Sequence, residues 1–247
     1  MDNTKKFSGK SSVYSAARPH YAEALFDMLA DDFGFKGQPV ADIGSGTGIF
    51  TEGLLSRGNI VYGVEPNDDM RAAAERSLAA YNNFRSVCGN AENSGLQDRS
   101  VYAVTAAQAF HWFDAEKFRA ECARIMFGEY VVIAYNSRAE ADLHSAVFAV
   151  NKKLCPTFKG FEGGITEERI SNFFCGKYQR FIFQNDLVMD RDMFIKRCLS
   201  SSYAPCERDK NFESYVSSIG DIFDKFSADG RLGYPLISKA YIGKIIR

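Results

Sequence analysis

The feature that most constrains this chain is a glycine turn, Asp42-Ile43-Gly44-Ser45-Gly46-Thr47-Gly48. It follows a short apolar run, Pro39 to Ile43, and precedes a helix-prone stretch, Ile49 to Ser56. Glycine lets the backbone turn tightly there and lets a ligand approach where a Cβ would stand. The start of the following helix favours negative charge. The glycines run G-x-G-x-G, and Ile49 stands where the fingerprint G-x-G-x-x-G of nicotinamide-binding turns needs its third glycine.

Twenty-one positions after Gly44, at the end of the next β-branched run (Ile60 to Val64), stands Glu65. An acid at that place can accept hydrogen bonds from both hydroxyls of a ribose, so the pair of signals supports a nucleoside ligand without choosing which. The plain alternative for Glu65 is a solvated carboxylate at a strand end.

The first half of the chain alternates strand-like and helix-like segments. After the two runs named, strands are predicted at Phe84 to Cys88, Val101 to Ala106 and Tyr130 to Ala134, with helices at Asp68 to Tyr81 and Ala115 to Met126. Strands apolar on both faces, alternating with helices, imply an α/β fold with a parallel sheet covered on both sides. Ligands of such sheets bind beyond the carboxyl ends of the strands. In the second half, Asp142 to Lys153, Phe194 to Cys198 and Phe212 to Phe226 read as helices. Arg180 to Met189 and Leu236 to Ile246 contain strand-like runs, and Phe158 to Phe174 reads as a loop or cap. The whole, 1–247, is read as a single domain: a core at about 35–136 plus terminal strands, and a small helical cap inserted at about 138–230.

Charge excludes some partners. With 30 basic and 31 acidic residues there is no basic excess, which argues against a nucleic-acid partner. No apolar run approaches the length of a membrane span, and Met1 to Lys10 has no apolar core of a signal peptide. The six cysteines form no CxxC pair and have no histidine beside them, so no metal site is expected. A cytoplasmic protein with reduced thiols fits this pattern.

Five stretches in order carry a family resemblance: Tyr14-Ser15-Ala16-Ala17-Arg18-Pro19, Val40 to Gly48, Val64-Glu65-Pro66-Asn67, Gly89-Asn90-Ala91-Glu92, and Ala107-Gln108-Ala109-Phe110-His111-Trp112-Phe113. On these the chain resembles the class I S-adenosylmethionine (SAM) dependent methyltransferases, in the type 11 small-molecule group with trans-aconitate-methyltransferase-like members. The resemblance implies a Rossmann-like, seven-stranded, mostly parallel sheet, with SAM as cofactor. It implies transfer of a methyl group to a small-molecule acceptor, through a carboxylate or hydroxyl oxygen, by a monomer or homodimer.

The resemblance also assigns residues. Gly44, Gly46 and Gly48, with Asp42, Ser45 and Thr47 of the same turn, would pass under the methionine and ribose. Glu65 would hold the ribose, and Pro66 and Met70 would lie against the adenine. Asn90, Ala91 and Glu92 would sit at the adenine edge, where the family more often has Asp in the place of Asn90. Gln108, Ala109 and Phe110 would lie near the sulfonium. Tyr14 and Arg18 would close over the ligand from an N-terminal helix. His111 is the candidate base, and Trp112 a wall of the substrate pocket; each can instead be a packing residue, as can Met70. Asp114 resembles a helix N-cap. The Asn/Asp-Pro-Pro-aromatic motif of enzymes that methylate base amines is absent after the fourth strand. Two alternatives stay open: a non-catalytic SAM-binding or interaction protein on the same fold, and a nicotinamide-dependent oxidoreductase, which Ile49 disfavours.

Overall fold

The computed structural model describes residues 19–160, 165–201 and 203–245. Its strands, in chain order, are β1 (Pro39–Ile43), β2 (Ile60–Val64), β3 (Phe84–Val87), β4 (Ala103–Ala107), β5 (Tyr130–Arg138), β6 (Tyr178–Gln184), β7 (Leu187–Met189), β8 (Leu232–Tyr234) and β9 (Leu236–Lys244). Its helices are α1 (Glu23–Asp31), α2 (Ile49–Leu55), α3 (Asp68–Ser77), α4 (Ala115–Ile125), α5 (Asp142–Leu154), α6 (Glu167–Phe173), α7 (Arg191–Leu199) and α8 (Phe212–Phe226).

Seven strands form one sheet in the order β3-β2-β1-β4-β5-β9-β6. β1 runs parallel to β2 and β4, β2 to β3, and β4 to β5. Ala139 N donates to Pro235 O beyond one end of the β5–β9 pair, and Ile245 N donates to Glu129 O beyond the other, so β9 runs antiparallel to β5. This is the seven-stranded, mostly parallel, Rossmann-like sheet that the resemblance implies.

The double-sided apolar pattern is what buries both faces. Along β5, Val131, Ile133 and Tyr135 join one core, while Val132 and Ala134 join the other. Successive side chains of a strand point to opposite faces, so a sheet covered on both sides needs apolar residues at every position. The strand order reverses between β1 and β4. Their carboxyl-end loops diverge there and open the crevice in which this architecture binds ligands.

The chain divides into two compact units. The first holds the described residues up to Asn136, Ile165–Phe183 and those from Ser238 onward. The second holds the described residues of 137–164 and 184–237. There α5, α7, α8 and the antiparallel β7–β8 ribbon surround Leu143, Phe194, Tyr215, Ile219 and Leu232. Within the stretch read as a cap, residues 165–183 thus pack with the first unit.

Helices α6 and α1 and the short strand β8 differ from the sequence reading. Phe158 to Phe174 is not loop throughout, because α6 occupies Glu167–Phe173. Thr166 caps it by accepting from Arg169 N, Glu167 and Glu168 suit its positive end, and Ile170 and Phe173 enter the core. Helix α1 was not anticipated either; it buries Leu25, Phe26, Leu29 and Ala30 along one stripe.

Candidate functional site

The glycine turn packs on the loop that follows β4. Gly44 has φ 69°, and a Cβ there would meet the Ala109 Cβ at 2.7 Å. Both the left-handed backbone and the close approach demand glycine. Gly46, at φ 57°, has no atom within 4 Å of where its Cβ would point, so this part of the turn faces open space.

Glu65 ties the turn to the next strand. Its Oε2 accepts from Gly46 N at 3.0 Å and its Oε1 from Asn67 N at 2.9 Å. Arg71 Nη1 donates to the Glu65 carbonyl at 2.9 Å. Burial raises the Glu65 carboxyl above its ordinary pKa, and the two backbone donors oppose that rise. A carboxylate has about four accepting positions. Two are engaged by these amides, so each oxygen keeps accepting capacity in a fixed orientation.

Beneath the turn lies Asp42, fully buried. Its carboxylate accepts from Thr51 Oγ1 at 2.6 Å and from Thr105 Oγ1 at 2.8 Å, joining β1 to α2 and β4. Burial pushes its pKa up to about 6 against the pull of the two hydroxyls, and the charge of Glu65 adds to the rise.

Two cavities meet at the turn. The larger has a volume of about 190 Å³. Gly44, Gly46 and Glu65 line it, with an apolar wall of Pro66, Met70, Ala91 and Ala109 and a polar edge of Asn90, Glu92 and Gln108. Half-exposed Trp112 lines it too. The smaller, about 90 Å³, is lined by Ser45 and Thr47 and shares Gly44, Gly46 and Gln108 with the first.

Other assigned residues lie elsewhere. Asp42, Gly48, Phe110 and His111 line neither cavity. Gly48 packs the start of α2 on α3: a Cβ there would meet Leu78 Cδ1 at 2.7 Å. Phe110 is fully buried against Phe113, Phe118 and Phe173. His111 sits on a one-turn helix, Phe110–Trp112, with its backbone N and its Nδ1 each 3.2 Å from Tyr135 Oη. Tyr14 and Arg18 lie outside the described residues. Asn90 Oδ1 accepts from Glu92 N at 3.0 Å and Asn93 N at 2.8 Å, so both its lone pairs shape the loop. Asp114 caps α4 as expected, accepting from Lys117 N, and its own N–H donates to Glu92 Oε1.

The sequence reading missed several lining residues. Asn67 and Phe113 line the larger cavity; Pro19, Tyr21 and Asn136 line the smaller. Asn136 Nδ2 donates to Pro19 O and His20 O, both at 3.1 Å, and Asn136 Oδ1 accepts from Ser238 Oγ at 2.6 Å. Gln108 Nε2 donates to Asn136 O at 2.9 Å. Gln108 is held at φ 54°, a backbone that costs a non-glycine residue about 1–3 kcal/mol and persists where the surroundings over-determine it. Arg169 on α6 also escaped notice. Its Nη2 donates to Phe113 O at 2.6 Å and its guanidinium lies 5.2 Å from the Phe110 ring centre. Only Asn67 left a local sign, as an Asn just before a helix.

Comparison with known proteins follows this geometry. Residues 41–128 match the family model described as methyltransferase domain. An uncharacterized methyltransferase of Mycobacterium bovis is 33% identical over 144 residues, covering 56% of this chain and 55% of its own. A methyltransferase candidate of Dictyostelium discoideum is 31% identical over 121 residues, covering 49% of this chain and 44% of its own. The chain thus spans about half the length of the curated relatives it matches. Among solved structures, a type II methyltransferase candidate from Anaeromyxobacter dehalogenans aligns with TM-score 0.66 at 17% identity, covering 93% of this chain and 98% of its own. A SAM-dependent methyltransferase from Aquifex aeolicus aligns with TM-score 0.53 at 15% identity, covering 94% and 97%. Residues 41–128 are thus similar to the methyltransferase domain family, and the sheet that carries those residues has the Rossmann-like fold of the solved methyltransferase structures that it aligns with.

Proposed function

We propose that this chain binds SAM across the glycine turn and transfers its methyl group to a carboxylate or hydroxyl oxygen of a small molecule. One observation carries the reading: two cavities of unequal size share Gly44, Gly46 and Gln108, with the Glu65 carboxylate fixed on the floor of the larger. That arrangement suits an elongated ligand with a nucleoside at one end and a small polar group at the other. The open space in front of Gly46 and the spare accepting positions of Glu65 fit a ribose. The apolar faces of Pro66 and Met70 fit a flat base.

When bound, SAM supplies a methyl group on a positively charged sulfur. The residues of the chain bind, align and exclude water. Alignment of two reactants alone can supply about 7–11 kcal/mol of a barrier. Gln108 is placed for this by its strained backbone and its bond to Asn136 O, while Trp112 and Phe113 provide apolar surface.

The test is calorimetric titration with S-adenosylhomocysteine. Micromolar binding is expected to the wild type. Glu65→Ala is expected to bind at least tenfold more weakly, since buried hydroxyls lose a charged acceptor. The same ligand should raise the melting temperature by mass action, and NAD should not. Equal affinity in the variant removes Glu65 from the site, and no heat at millimolar ligand ends the proposal. Binding without turnover on carboxylic acids or hydroxyl compounds would favour a non-catalytic SAM binder.

A further inference from the structure

The loop after β3 brings one amide and one carboxylate to the larger cavity, and its own hydrogen bonds decide what each can offer a ligand. Asn90 Oδ1 accepts from Glu92 N at 3.0 Å and from Asn93 N at 2.8 Å, which uses both lone pairs of the carbonyl oxygen. Both partners are backbone N–H groups. Turning the amide over would set Nδ2 against two donors, so its orientation is fixed. The Asn90 side chain therefore has no acceptor left, and its Nδ2, which donates to no described residue, is a donor only.

Glu92 has the opposite character. Its Oε1 accepts from Asp114 N at 2.9 Å, at the start of α4, and its Oε2 accepts from no described residue. Half-buried Glu92 and exposed Asn90 both line the larger cavity, along with the apolar Pro66, Met70 and Ala91. The loop is anchored again just beyond. Ser94 is fully buried, and its N and Oγ donate to Glu121 Oε1 at 2.8 and 2.6 Å. These bonds hold the Glu92 carboxylate in place before a ligand arrives, so little ordering is left to oppose binding.

We infer that Glu92, and not Asn90, accepts the hydrogen bond of the base's exocyclic amine, while Asn90 donates from Nδ2 to a ring nitrogen. The inference rests on the reading of the larger cavity as a nucleoside site. An aminopurine carries an N–H donor beside an acceptor nitrogen along one edge. The loop supplies the complement, a carboxylate oxygen and an amide N–H. An aspartate at position 90 would add a second carboxylate at this edge and make Glu92 dispensable.

The test compares two ligands by calorimetry: S-adenosylhomocysteine, and its analogue with unsubstituted purine in place of adenine, which lacks only the amine. Wild type should bind the analogue about 10-fold to 100-fold more weakly, the range for one hydrogen bond to a charged group. In Glu92→Ala the two ligands should bind within about threefold of each other, because the charged acceptor is gone. Adding Asn90→Asp to Glu92→Ala should restore the preference for the amine. Glu92→Gln is the second variant should Glu92→Ala fail to fold. Its amide oxygen can keep the bond to Asp114 N and its Nε2 then meets the amine donor to donor, so the preference should be lost there too. A preference in these Glu92 variants as large as in wild type overturns the assignment, and so does a wild type that binds both ligands equally. In either case S-adenosylhomocysteine still binds and the nucleoside reading stands. No heat from either ligand at millimolar concentration defeats that reading, and this inference with it.

Discussion

Asp42 in the first unit and His144 in the second are both buried titratable groups, and each unit treats its own differently. Asp42 is held by two threonine hydroxyls, which fasten three elements under the glycine turn. His144 on α5 has one partner: its Nε2 lies 2.6 Å from Pro235 O and must donate to it, while its Nδ1 is buried with none. Asn151, also on α5, has a buried Nδ2 without a partner. Among the described residues of the first unit, the corresponding atom is Arg169 Nε. Polar groups are paired where they shape the turn at the candidate site, and are left part-paired in a core that shapes none. Both groups resist charging, but in opposite directions of pH. Burial raises Asp42 and lowers His144, and the nearby Arg138 and Arg197 lower His144 further.

The largest effect is expected at Asp42. Its folded pKa, about 6, lies above the ordinary value of 3.8, so the folded state holds the proton more tightly than the unfolded one. The stability this gives is fully present below about pH 4 and is lost as pH rises through 6. A shift of that size corresponds to about 3 kcal/mol at neutral pH. Asp42→Asn removes the charge and still offers one acceptor and one donor to the threonine hydroxyls. Denaturant unfolding should show the variant about 2–3 kcal/mol more stable than wild type at pH 8 and nearly equal to it at pH 4. A variant less stable at both values would mean that the ionised carboxylate stabilises the turn.

Asp42 also shows what a sequence can disclose. Its glycine turn and Glu65 are local signals: special backbone angles need glycine, and an acid at a strand end follows at a set distance. Strand–helix alternation likewise gave the sheet, because double-sided burial demands continuous apolar runs. The contacts of Asn136 lie beyond any such reading. Pro19 is 117 positions before it and Ser238 is 102 after it, and only the folded sheet brings them together. The Arg169 to Phe113 bond is of the same kind. Helix α6 was hidden because the Phe- and Gly-rich residues before it outweighed the short cap signal at Thr166.

The second effect tests the part-paired core. Asn151 Oδ1 accepts from Tyr215 Oη at 2.9 Å, and the Cys155 thiol lies 3.9 Å away. Tyr215→Phe leaves the amide with only that thiol and should cost about 1–2 kcal/mol, as for a buried group deprived of its partner. Adding Asn151→Leu removes both sides of the interaction together with the unpartnered Nδ2. The double variant should recover most of the loss, since apolar replacement of both partners is close to neutral. If the double variant is worse than Tyr215→Phe alone, the amide contributes something beyond its bonds to Tyr215 and Cys155.

The smallest effect is the pH response of His144, and its sign is what separates the units. Its folded pKa lies below the ordinary value of about 6.5. The unfolded chain therefore binds the proton first, and this contribution is present above about pH 6.5 and lost as pH falls. One proton limits the slope to about 1.4 kcal/mol per pH unit. In the wild type the opposite slope of Asp42 overlaps it, so the measurement belongs in the Asp42→Asn background. There stability should fall from pH 7 to pH 5, and His144→Phe, which keeps a ring against Tyr234, should flatten that fall. Hydrogen exchange along α5 gives the response of the second unit separately, since two units need not unfold as one. Exchange there that is indifferent to pH over this range would show that the orphaned Nδ1 finds a proton donor without cost, and the contrast between the two units would vanish.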